Sequence, residues 1–202
     1  MNTASSHAAV VLAAGGSRRL GRPKQLLTRD GETLVHRAAR LTLDTAPRRM
    51  LVVVGARRDE IADALSGLAC EIVCNPSWER GLAGSLHVAA AALAGHDGAV
   101  LIAGCDQPAL EAVHLHRLLA GAESAASRCA ATRHGDAPGV PVVVPAALLS
   151  EVRALEGDHG LAPRLRALPR GDMFLLDAAE LGFDLDTEDD VRGAVARGWL
   201  DP

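Results

Sequence analysis

Short apolar runs alternate with amphipathic segments along most of the chain. Seven runs of four to six residues have the length and apolar character of buried strands, at 8–13, 50–54, 71–74, 99–103, 129–132, 140–144 and 173–176. Apolar residues at three- and four-residue spacing predict helices at 33–43, 59–68, 84–94, 110–120, 146–155 and 187–196. This order predicts an α/β fold, a mainly parallel sheet with helices on both faces.

The chain shows no internal boundary. No repeat, low-complexity tract or Pro- and Gly-rich linker divides it, so residues 1–202 are expected to form one domain. Residues 134–145, interrupted by Gly and Pro, are interpreted as a loop leading into a strand. Ligands of open α/β sheets collect at the C-terminal ends of the strands, so the loops after Ala13, Cys74 and Ala103 are expected to form one cleft.

The composition limits the classes of partner. Hydrophobic residues make up 49% of the chain, but aromatic residues only 2% with no Tyr, so a nucleic-acid binder that stacks bases on rings is not expected. The formal net charge of −4 provides no general basic field. Phosphate binding would therefore depend on a local cluster of cations, and Arg18, Arg19, Arg22 and Lys24 form one.

The cysteines and the N-terminal residues indicate the compartment. The four cysteines lack the CxxC pairs of a structural zinc site and are too sparse for a disulfide framework, so they are interpreted as reduced thiols. The apolar run before Gly15 has about six residues, far fewer than a secretion signal or a membrane span requires. We expect a cytoplasmic protein with no membrane partner.

The first apolar run leads into a loop typical of phosphate binding. Residues 12–24, Leu-Ala-Ala-Gly-Gly-Ser-Arg-Arg-Leu-Gly-Arg-Pro-Lys, combine Gly15, Gly16 and Gly21 with several cations, and such glycines allow the backbone to approach a polyphosphate. The P-loop pattern fails because Arg-Pro follows Gly21, and no GxGxxG pattern is present. The alternative is an ordinary Gly-rich surface turn with solvated arginines.

A carboxylate after the run at 99–103 is a candidate metal ligand. Asp106 lies where a buried charge needs a compensating cation. Mg²⁺ meets this need with one or two protein carboxylates plus phosphate oxygens, so a second carboxylate is expected. Asp184 and Asp186, which alternate before a helix, are the candidates. The alternative is that Asp106 begins a turn and that Asp186 or Thr187 only caps the helix.

Residues 75–85 form a second candidate loop. They join the run at 71–74 to a helix expected to begin near Ser85, and the amides of a helix start can bind a base or a phosphate group. Trp78 could line the same pocket. The alternatives are that Trp78 packs in the core and that Ser85 is a plain helix cap.

Four segments in this order resemble the MobA-like nucleotidyltransferases, most closely the molybdenum cofactor cytidylyltransferases, over nearly the whole chain. Residues 12–24 resemble the signature loop of that family, 75–86 its second nucleotide loop, 106–108 its metal-binding strand end and 184–187 its C-terminal acidic motif. The resemblance implies a three-layer, Rossmann-like fold of the glycosyltransferase-A-like nucleotidyltransferase type.

The resemblance also implies roles for the matched residues. The nucleotide site would consist of Leu12, Ala13, Ala14, Gly15, Gly16, Ser17, Arg19, Lys24, Asn75, Gly81 and Ser85, with the backbone of 12–16 holding the base and ribose. Arg19 and Lys24 would bind the triphosphate and offset the charge that develops at the α-phosphate. Asp106 and Asp186 would hold Mg²⁺. Arg19, Lys24 and Asp106 are therefore the expected catalytic residues.

The same resemblance implies the second substrate. The terminal phosphate of molybdenum-bound molybdopterin would attack the α-phosphorus in line, and pyrophosphate would leave. The expected substrates are an NTP, CTP being favoured, and molybdopterin, and a molybdenum-cofactor insertion chaperone or an acceptor hydroxylase is a candidate protein partner. Residues 139–141 and 157–160 resemble family segments near the acceptor side.

Three positions leave alternatives open. Ala14 resembles the cytidylyl branch of the family and Cys105 the guanylyl branch, so the base is open. Glu188 stands where the family carries Pro, which leaves the second metal ligand open between Asp184 and Asp186. The leading hypothesis is a CTP:molybdenum cofactor cytidylyltransferase. The others are a guanylyl-, sugar-phosphate or methylerythritol-phosphate nucleotidyltransferase and a non-catalytic cofactor-binding chaperone.

Overall fold

A computed structural model describes residues 6–154 and 160–202. The strands are β1 (His7–Ala13), β2 (Thr28–Arg29), β3 (Glu32–Thr33), β4 (Arg49–Val54), β5 (Glu71–Cys74), β6 (Ala99–Gly104), β7 (Ala130–His134), β8 (Ala137–Pro145) and β9 (Phe174–Leu176). The helices are α1 (Leu34–Leu43), α2 (Arg58–Ala64), α3 (Leu82–Ala92), α4 (Ala112–Ser124), α5 (Ala146–Ser150), α6 (Ala162–Arg166) and α7 (Glu188–Ala196).

Seven of these strands form one mainly parallel sheet, in the order β5-β4-β1-β6-β8-β7-β9. The central strand β1 pairs in parallel with β4 on one side and β6 on the other. Among the described strands of this sheet, β8 alone runs antiparallel to its neighbours, β6 and β7. The predicted fold class is therefore confirmed, and the strand ends after β1, β5 and β6 lie at the same edge of the sheet.

Both faces of the sheet are buried. Side chains alternate along β1, so Ala9 and Val11 pack in one apolar cluster with α1, α2 and α4, whereas Ala8 and Val10 pack in another with α3, α5 and α6. This arrangement gives three layers, with helices on both faces as predicted. None of the helices in the described parts of the chain is long and apolar enough to cross a membrane.

A third apolar cluster attaches the C-terminal helix to the first loop. Leu20 of that loop packs with Leu185, Val191 and further residues of α7 and its flanks. Thr187 is the N-cap of α7, and its hydroxyl exchanges hydrogen bonds with Asp190 in a capping box. The segment just before α7 is thereby held beside the loop that follows β1.

The bounds of several elements differ from the predicted ones. The helix expected to begin near Ser85 begins at Leu82, because Gly81 with a φ of 96° provides the N-cap. The helix predicted at 146–155 is α5 followed by a 3₁₀ turn at Glu151–Ala154, and residue 155 lies outside the described residues. The interpretation of 134–145 as a loop leading into a strand is largely wrong, since only residues 135 and 136 lie between β7 and β8, which form a hairpin.

Three short elements were not predicted. The β2–β3 hairpin turns at Asp30 and Gly31, both with positive φ, and strands of two residues leave no periodic pattern to detect. Helix α6 has only five residues, too few for a three- and four-residue spacing to stand out.

Glu32, the first residue of β3, should make the fold sensitive to acid. Arg40 donates to both Glu32 oxygens at 2.8 and 2.7 Å, and His36 lies 2.7 Å away. The hydrogen bonds from Arg40, with a smaller effect of His36, lower the pKa of Glu32 from 4.5 to about 2 against the opposing effect of burial. A group whose folded-state pKa is lowered stabilises the fold above its unfolded pKa and loses that effect as the pH falls.

We therefore expect Glu32→Gln to lower the free energy of unfolding by about 2 kcal/mol at pH 7, and the difference from the wild type to shrink between pH 4.5 and 2. Urea unfolding at several pH values measures the difference in unfolding free energy between the variant and the wild type. Glu60, in an exposed pair with Arg57, is the matched control, and Glu60→Gln should change stability by less than about 0.5 kcal/mol. Equal effects of the two substitutions would contradict the prediction.

Candidate active site

A cleft of about 750 Å³ opens at the C-terminal edge of the sheet. Its walls come from the loops after β1, β5 and β6 and from the segment before α7. The residues that line it are Leu12–Arg19, Lys24, Gln25, Trp78, Glu79, Gly81, Leu82, Ser85, Gly104, Cys105, Asp106, Val140 and Asp186. The predicted convergence of the three loops is confirmed.

Lys24 joins two carboxylates in this cleft. Its Nζ lies 2.8 Å from Asp106 Oδ2 and 3.0 Å from Asp186 Oδ1, and the lysine side chain is only 15% exposed. Arg19 Nη2 donates to the other Asp186 oxygen at 2.6 Å. Burial opposes the charged form of Lys24, but the two carboxylates outweigh it and raise the pKa of the ammonium well above its usual value. Four charged groups therefore form one compact network.

Backbone contacts fix the two carboxylates relative to each other. The Leu185 N–H donates to the Asp106 carbonyl at 3.3 Å, and the Asp186 N–H donates to Asp190 Oδ2 at 3.1 Å. Gly104 leaves room for the Asp106 side chain, because a Cβ there would lie 2.7 Å from Asp106 Oδ1. The end of β6 and the start of α7 are thus connected beside the cleft.

The side chain of Gln25 holds the first loop in place through hydrogen bonds. Its side chain is 2% exposed, and Nε2 donates to the carbonyl groups of Ala13 at 3.1 Å and Gly15 at 2.6 Å. Ser17, at a φ of 48°, donates to Gln25 Oε1 and accepts from the Lys24 N–H at 3.1 Å. Since these carbonyl groups point toward Gln25, the loop is held in one shape around the cleft.

Trp78 forms a wall of the cleft and also packs on the apolar cluster below α3. Its ring lies on Gly16, where an added Cβ would be 2.5 Å from Cζ3. The Arg18 guanidinium carbon lies over the ring, 5.5 Å from its centroid, and Arg18 pairs with Glu79 at 3.1 Å. Gly16 is thus needed for the first and second loops to approach each other.

Asn75 and Ser85 bind each other inside the second loop. Asn75 Nδ2 donates to Ser85 Oγ at 3.1 Å, and Asn75 Oδ1 accepts from the Ser77 N–H at 3.0 Å. Asn75 is buried and does not line the cleft, whereas Ser85 does. Ser85 lies in the first turn of α3 and is not its cap.

The carboxylates in the cleft suit a divalent cation bound together with phosphate. Within residues 6–154 and 160–202, no three His, Cys, Asp or Glu side chains converge as a metal site. Asp106 and Asp186 converge as a pair and share the charge of Lys24. Mg²⁺ usually takes one or two protein carboxylates and completes its shell with waters and phosphate oxygens, so the pair fits it.

The sequence as a whole identifies the family. Residues 9–172 match the MobA-like NTP transferase domain. The chain belongs to the MobA-like NTP transferase family.

Similar proteins differ in what they are named for. Nicotine blue oxidoreductase of Paenarthrobacter nicotinovorans is 34% identical over 186 residues, which cover 88% of this chain and 91% of that protein. A nucleotidyl transferase from Methanothermobacter thermautotroptrophicus is 27% identical with a TM-score of 0.78, covering 96% of this chain and 97% of that one. Rv0371C from Mycobacterium tuberculosis, in complex with manganese, shares the fold at 24% identity and a TM-score of 0.71, covering 95% of this chain and 99% of that one.

The MobA-like site brings together most of the residues that the sequence singled out. Arg19, Lys24, Asp106 and Asp186 share one network, although they lie up to 167 positions apart. Asp184 lines a neighbouring cavity instead. Loss of hydration and then the charge of Asp106 raise the pKa of Asp184 to about 7.

The structure also shows the contacts of Glu188 and Cys105, the two positions that depart from the family pattern. Glu188 forms two 3.0 Å hydrogen bonds with Arg22, at the surface. Cys105 is buried at the edge of the cleft, and burial followed by the charge of Asp106 raises the pKa of its thiol well above the usual range. The thiol is therefore neutral at pH 7.

Sequence reasoning missed Gln25 and Asp190. Gln25 follows directly on the signature loop as a polar residue before Leu26 and Leu27, and nothing in the sequence indicates that it is buried against the loop. Asp190 lies three residues after Thr187, the spacing of a capping box, although the acidic residue usual there is Glu.

The contact between Gly16 and Trp78 predicts a stability effect in the MobA-like site. Gly16→Ala would press a methyl group into the ring, so we expect a loss of about 1–3 kcal/mol of unfolding free energy. Gly15→Ala is the matched control, since nothing lies within 4 Å of a Cβ at Gly15, and it should cost less than about 0.5 kcal/mol. Thermal and urea unfolding measure both. A loss at Gly15 as large as that at Gly16 would refute the contact.

Proposed function

We propose that the cleft binds an NTP with Mg²⁺ and transfers its nucleotidyl group, CMP from CTP, to molybdenum-bound molybdopterin, releasing pyrophosphate. The observation that carries the proposal is the network of Lys24 with Asp106 and Asp186 beside a glycine-containing loop. A surface turn with solvated arginines would not bury a lysine between two carboxylates. Membership of the MobA-like NTP transferase family supports the same reaction class.

The nucleoside would lie along the first loop. The backbone from Leu12 to Gly16 lines the cleft, and the Trp78 ring lies against Gly16. Gly81, Leu82 and Ser85 line the opposite side at the start of α3, where free helix amides favour a phosphate or a carbonyl oxygen. We infer cytosine as the base from Ala14.

The polyphosphate would exchange partners with the carboxylates. Arg19 and Lys24 neutralise Asp186 and Asp106 through ion pairs. A triphosphate would draw these cations to its own oxygens, and Asp106 and Asp186 would then be free to hold Mg²⁺. Bound Mg²⁺ would screen the negative charge of the phosphates.

Catalysis would then consist of positioning and charge stabilisation. An acceptor phosphate oxygen forms a bond to the α-phosphorus while the bond from the α-phosphorus to the pyrophosphate oxygen breaks. Arg19 and Lys24 would stabilise the charge that grows on the phosphates and on the leaving pyrophosphate. Cys105 would take no part as a nucleophile, because its thiol is held in the neutral form.

The direct test is incubation of the protein with molybdenum cofactor, Mg²⁺ and each of the four NTPs, with pyrophosphate release as the readout. We expect release with CTP that depends on the acceptor. Release with GTP alone would show that the base is guanine and not cytosine. Release only with a sugar phosphate or methylerythritol phosphate would show that the acceptor is not molybdopterin. No release with any pair would contradict the proposed reaction.

A second candidate function is oxidoreduction, favoured by the 34% identity with nicotine blue oxidoreductase over 88% of this chain. Incubation with nicotine blue and NADH or NADPH, followed by the absorbance of the dye, tests it. Loss of colour that needs the protein, without pyrophosphate release in the first assay, would favour this function over nucleotidyl transfer. Unchanged absorbance would exclude it for these reductants.

A further inference from the structure

Residues 107–111 lead from Asp106 to the start of α4, and we call them the β6–α4 segment. Asp106 lies directly before this segment, so the backbone of the segment constrains where the carboxylate of Asp106 lies. Arg29 precedes Pro108 by 79 positions in the chain, and its Nη1 donates to the Pro108 carbonyl at 2.7 Å. A side chain from a distant part of the chain therefore holds the backbone two residues after Asp106.

The same guanidinium also holds the far end of the β6–α4 segment. Arg29 Nη2 lies 3.0 Å from Glu111 Oε1, and Glu111 is the N-cap of α4. Arg37, from α1, adds a second contact, since its Nη2 lies 2.7 Å from the same oxygen. The side chains of Arg29 and Arg37 are only 18% and 12% exposed, so water screens these contacts less than it screens pairs at the surface. The planar guanidinium of Arg29 thus fixes Pro108 relative to Glu111.

The β2–β3 hairpin, which carries Arg29, is itself held by Asp201. The Asp201 carboxylate accepts from the N–H groups of Asp30 and Gly31 at 2.9 Å each. The N–H of Asp201 donates to the Thr28 carbonyl at 2.8 Å. These bonds lie on both sides of Arg29 in the sequence. The hairpin is therefore a fixed support from which Arg29 reaches the β6–α4 segment.

A small displacement of Asp106 would be enough to spoil a metal site that it shares with Asp186. The two carboxylates meet only through tertiary contacts, such as the 3.3 Å bond from the Leu185 N–H to the Asp106 carbonyl. Metal ligands have to be held within about 0.5 Å of their productive geometry, and the groups that hold them contribute strongly to metal affinity. Arg29 does not line the cleft, so it can act only through the backbone that it holds.

We propose that Arg29 is a positioning residue, which holds the β6–α4 segment so that Asp106 and Asp186 face the same divalent cation. This inference rests on the proposed function, in which these two carboxylates hold Mg²⁺. Loss of the guanidinium should weaken metal binding and slow turnover, whereas the first loop should still bind the nucleotide.

Binding of Mn²⁺ to the nucleotide-free protein, measured by electron paramagnetic resonance, tests the inference without turnover. Arg29→Met should weaken Mn²⁺ binding by about tenfold. In the pyrophosphate assay, kcat should fall by about tenfold while the KM for CTP stays within about twofold of the wild-type value. A general loss of stability would not produce this combination.

Arg49→Met is the matched control for Arg29→Met. Arg49 makes the same kinds of contact as Arg29, since its Nη1 donates to the Ala92 carbonyl at 2.7 Å and its Nη2 pairs with Glu71 at 2.8 Å. None of these three residues lines the cleft. Arg49→Met should therefore leave Mn²⁺ binding, kcat and KM within about twofold, even where it lowers stability.

The thermal midpoint shows whether each variant folds. Arg29→Lys, which keeps the charge but not the planar set of donors, replaces Arg29→Met if that variant does not fold. Mn²⁺ affinity of the Arg29 variant within about twofold of the wild type, or an equal loss in Arg49→Met, would overturn the inference.

Mn²⁺ binding of Asp106→Asn is measured alongside to separate this inference from the proposed function. If the wild type binds no Mn²⁺, or binds it as well without the Asp106 carboxylate, the result counts against the metal site of the proposed function and against the inference built on it. Binding that depends on Asp106 but not on Arg29 refutes the role of Arg29 alone.

Discussion

Replacing Asp106 with Asn is expected to lower the rate of the proposed nucleotidyl transfer by roughly 10³-fold, because one of the two carboxylates that would hold Mg²⁺ loses its charge. The substitution keeps the size of the side chain, so the contact with Gly104 and the backbone bond from Leu185 remain. Pyrophosphate release at saturating CTP and acceptor measures the effect. The Mg²⁺ concentration needed for half-maximal rate should rise.

Asp189→Asn is the matched control for this change. Asp189 lies in the first turn of α7, is exposed, and pairs with Arg192 rather than with the cleft. Its replacement should leave the rate within about twofold. Unchanged pyrophosphate release by Asp106→Asn would contradict the proposed role of this carboxylate, whereas absence of release by the wild type as well would favour a non-catalytic cofactor-binding chaperone.

Replacing Lys24 with Met should lower the reaction rate and at the same time tighten the binding of a divalent metal ion. The rate should fall by roughly 10²- to 10³-fold, because a cation that stabilises the developing phosphate charge is lost. Binding of Mn²⁺ to the nucleotide-free protein should tighten, since the ammonium 2.8 and 3.0 Å from Asp106 and Asp186 no longer neutralises them. Electron paramagnetic resonance of free and bound Mn²⁺ measures the second effect without any turnover.

Arg22 provides the matched control for Lys24. It belongs to the same run of cations in the sequence, but it pairs with Glu188 at the surface and does not line the cleft. Arg22→Met should change neither the rate nor Mn²⁺ binding by more than about twofold. Unchanged or weaker Mn²⁺ binding in Lys24→Met would contradict the exchange of lysine for metal at the carboxylates.

The sequence predicted the centre of the sheet well because β1, β4 and β6 are buried on both faces and appear as continuous apolar runs. It could not predict the start of α3, which depends on the positive φ of Gly81 rather than on a polar cap at Ser85. The early start of β8 was missed because Pro138, Gly139 and Pro141 suggest a loop, although these residues belong to the strand.

The sequence could identify the residues of the site but not the contacts between them. Lys24 and Asp106 were identified by residue type and position, yet their ion pair depends on the turn after β1 and on the end of β6 meeting in space. The third cluster, which packs Leu20 against α7, brings Asp186 to the same point. Gln25 could not be recognised, because only the folded loop presents its amide with two carbonyl groups.

The most direct test of the central claim is the fate of the α-phosphate of CTP. The protein is incubated with molybdenum cofactor, Mg²⁺ and CTP radiolabelled at the α- or the γ-phosphate, and the products are separated. Transfer of CMP to the acceptor predicts α-label in a cofactor dinucleotide and γ-label in pyrophosphate. Label that stays in CTP, or α-label released only as free CMP, would contradict transfer to the acceptor.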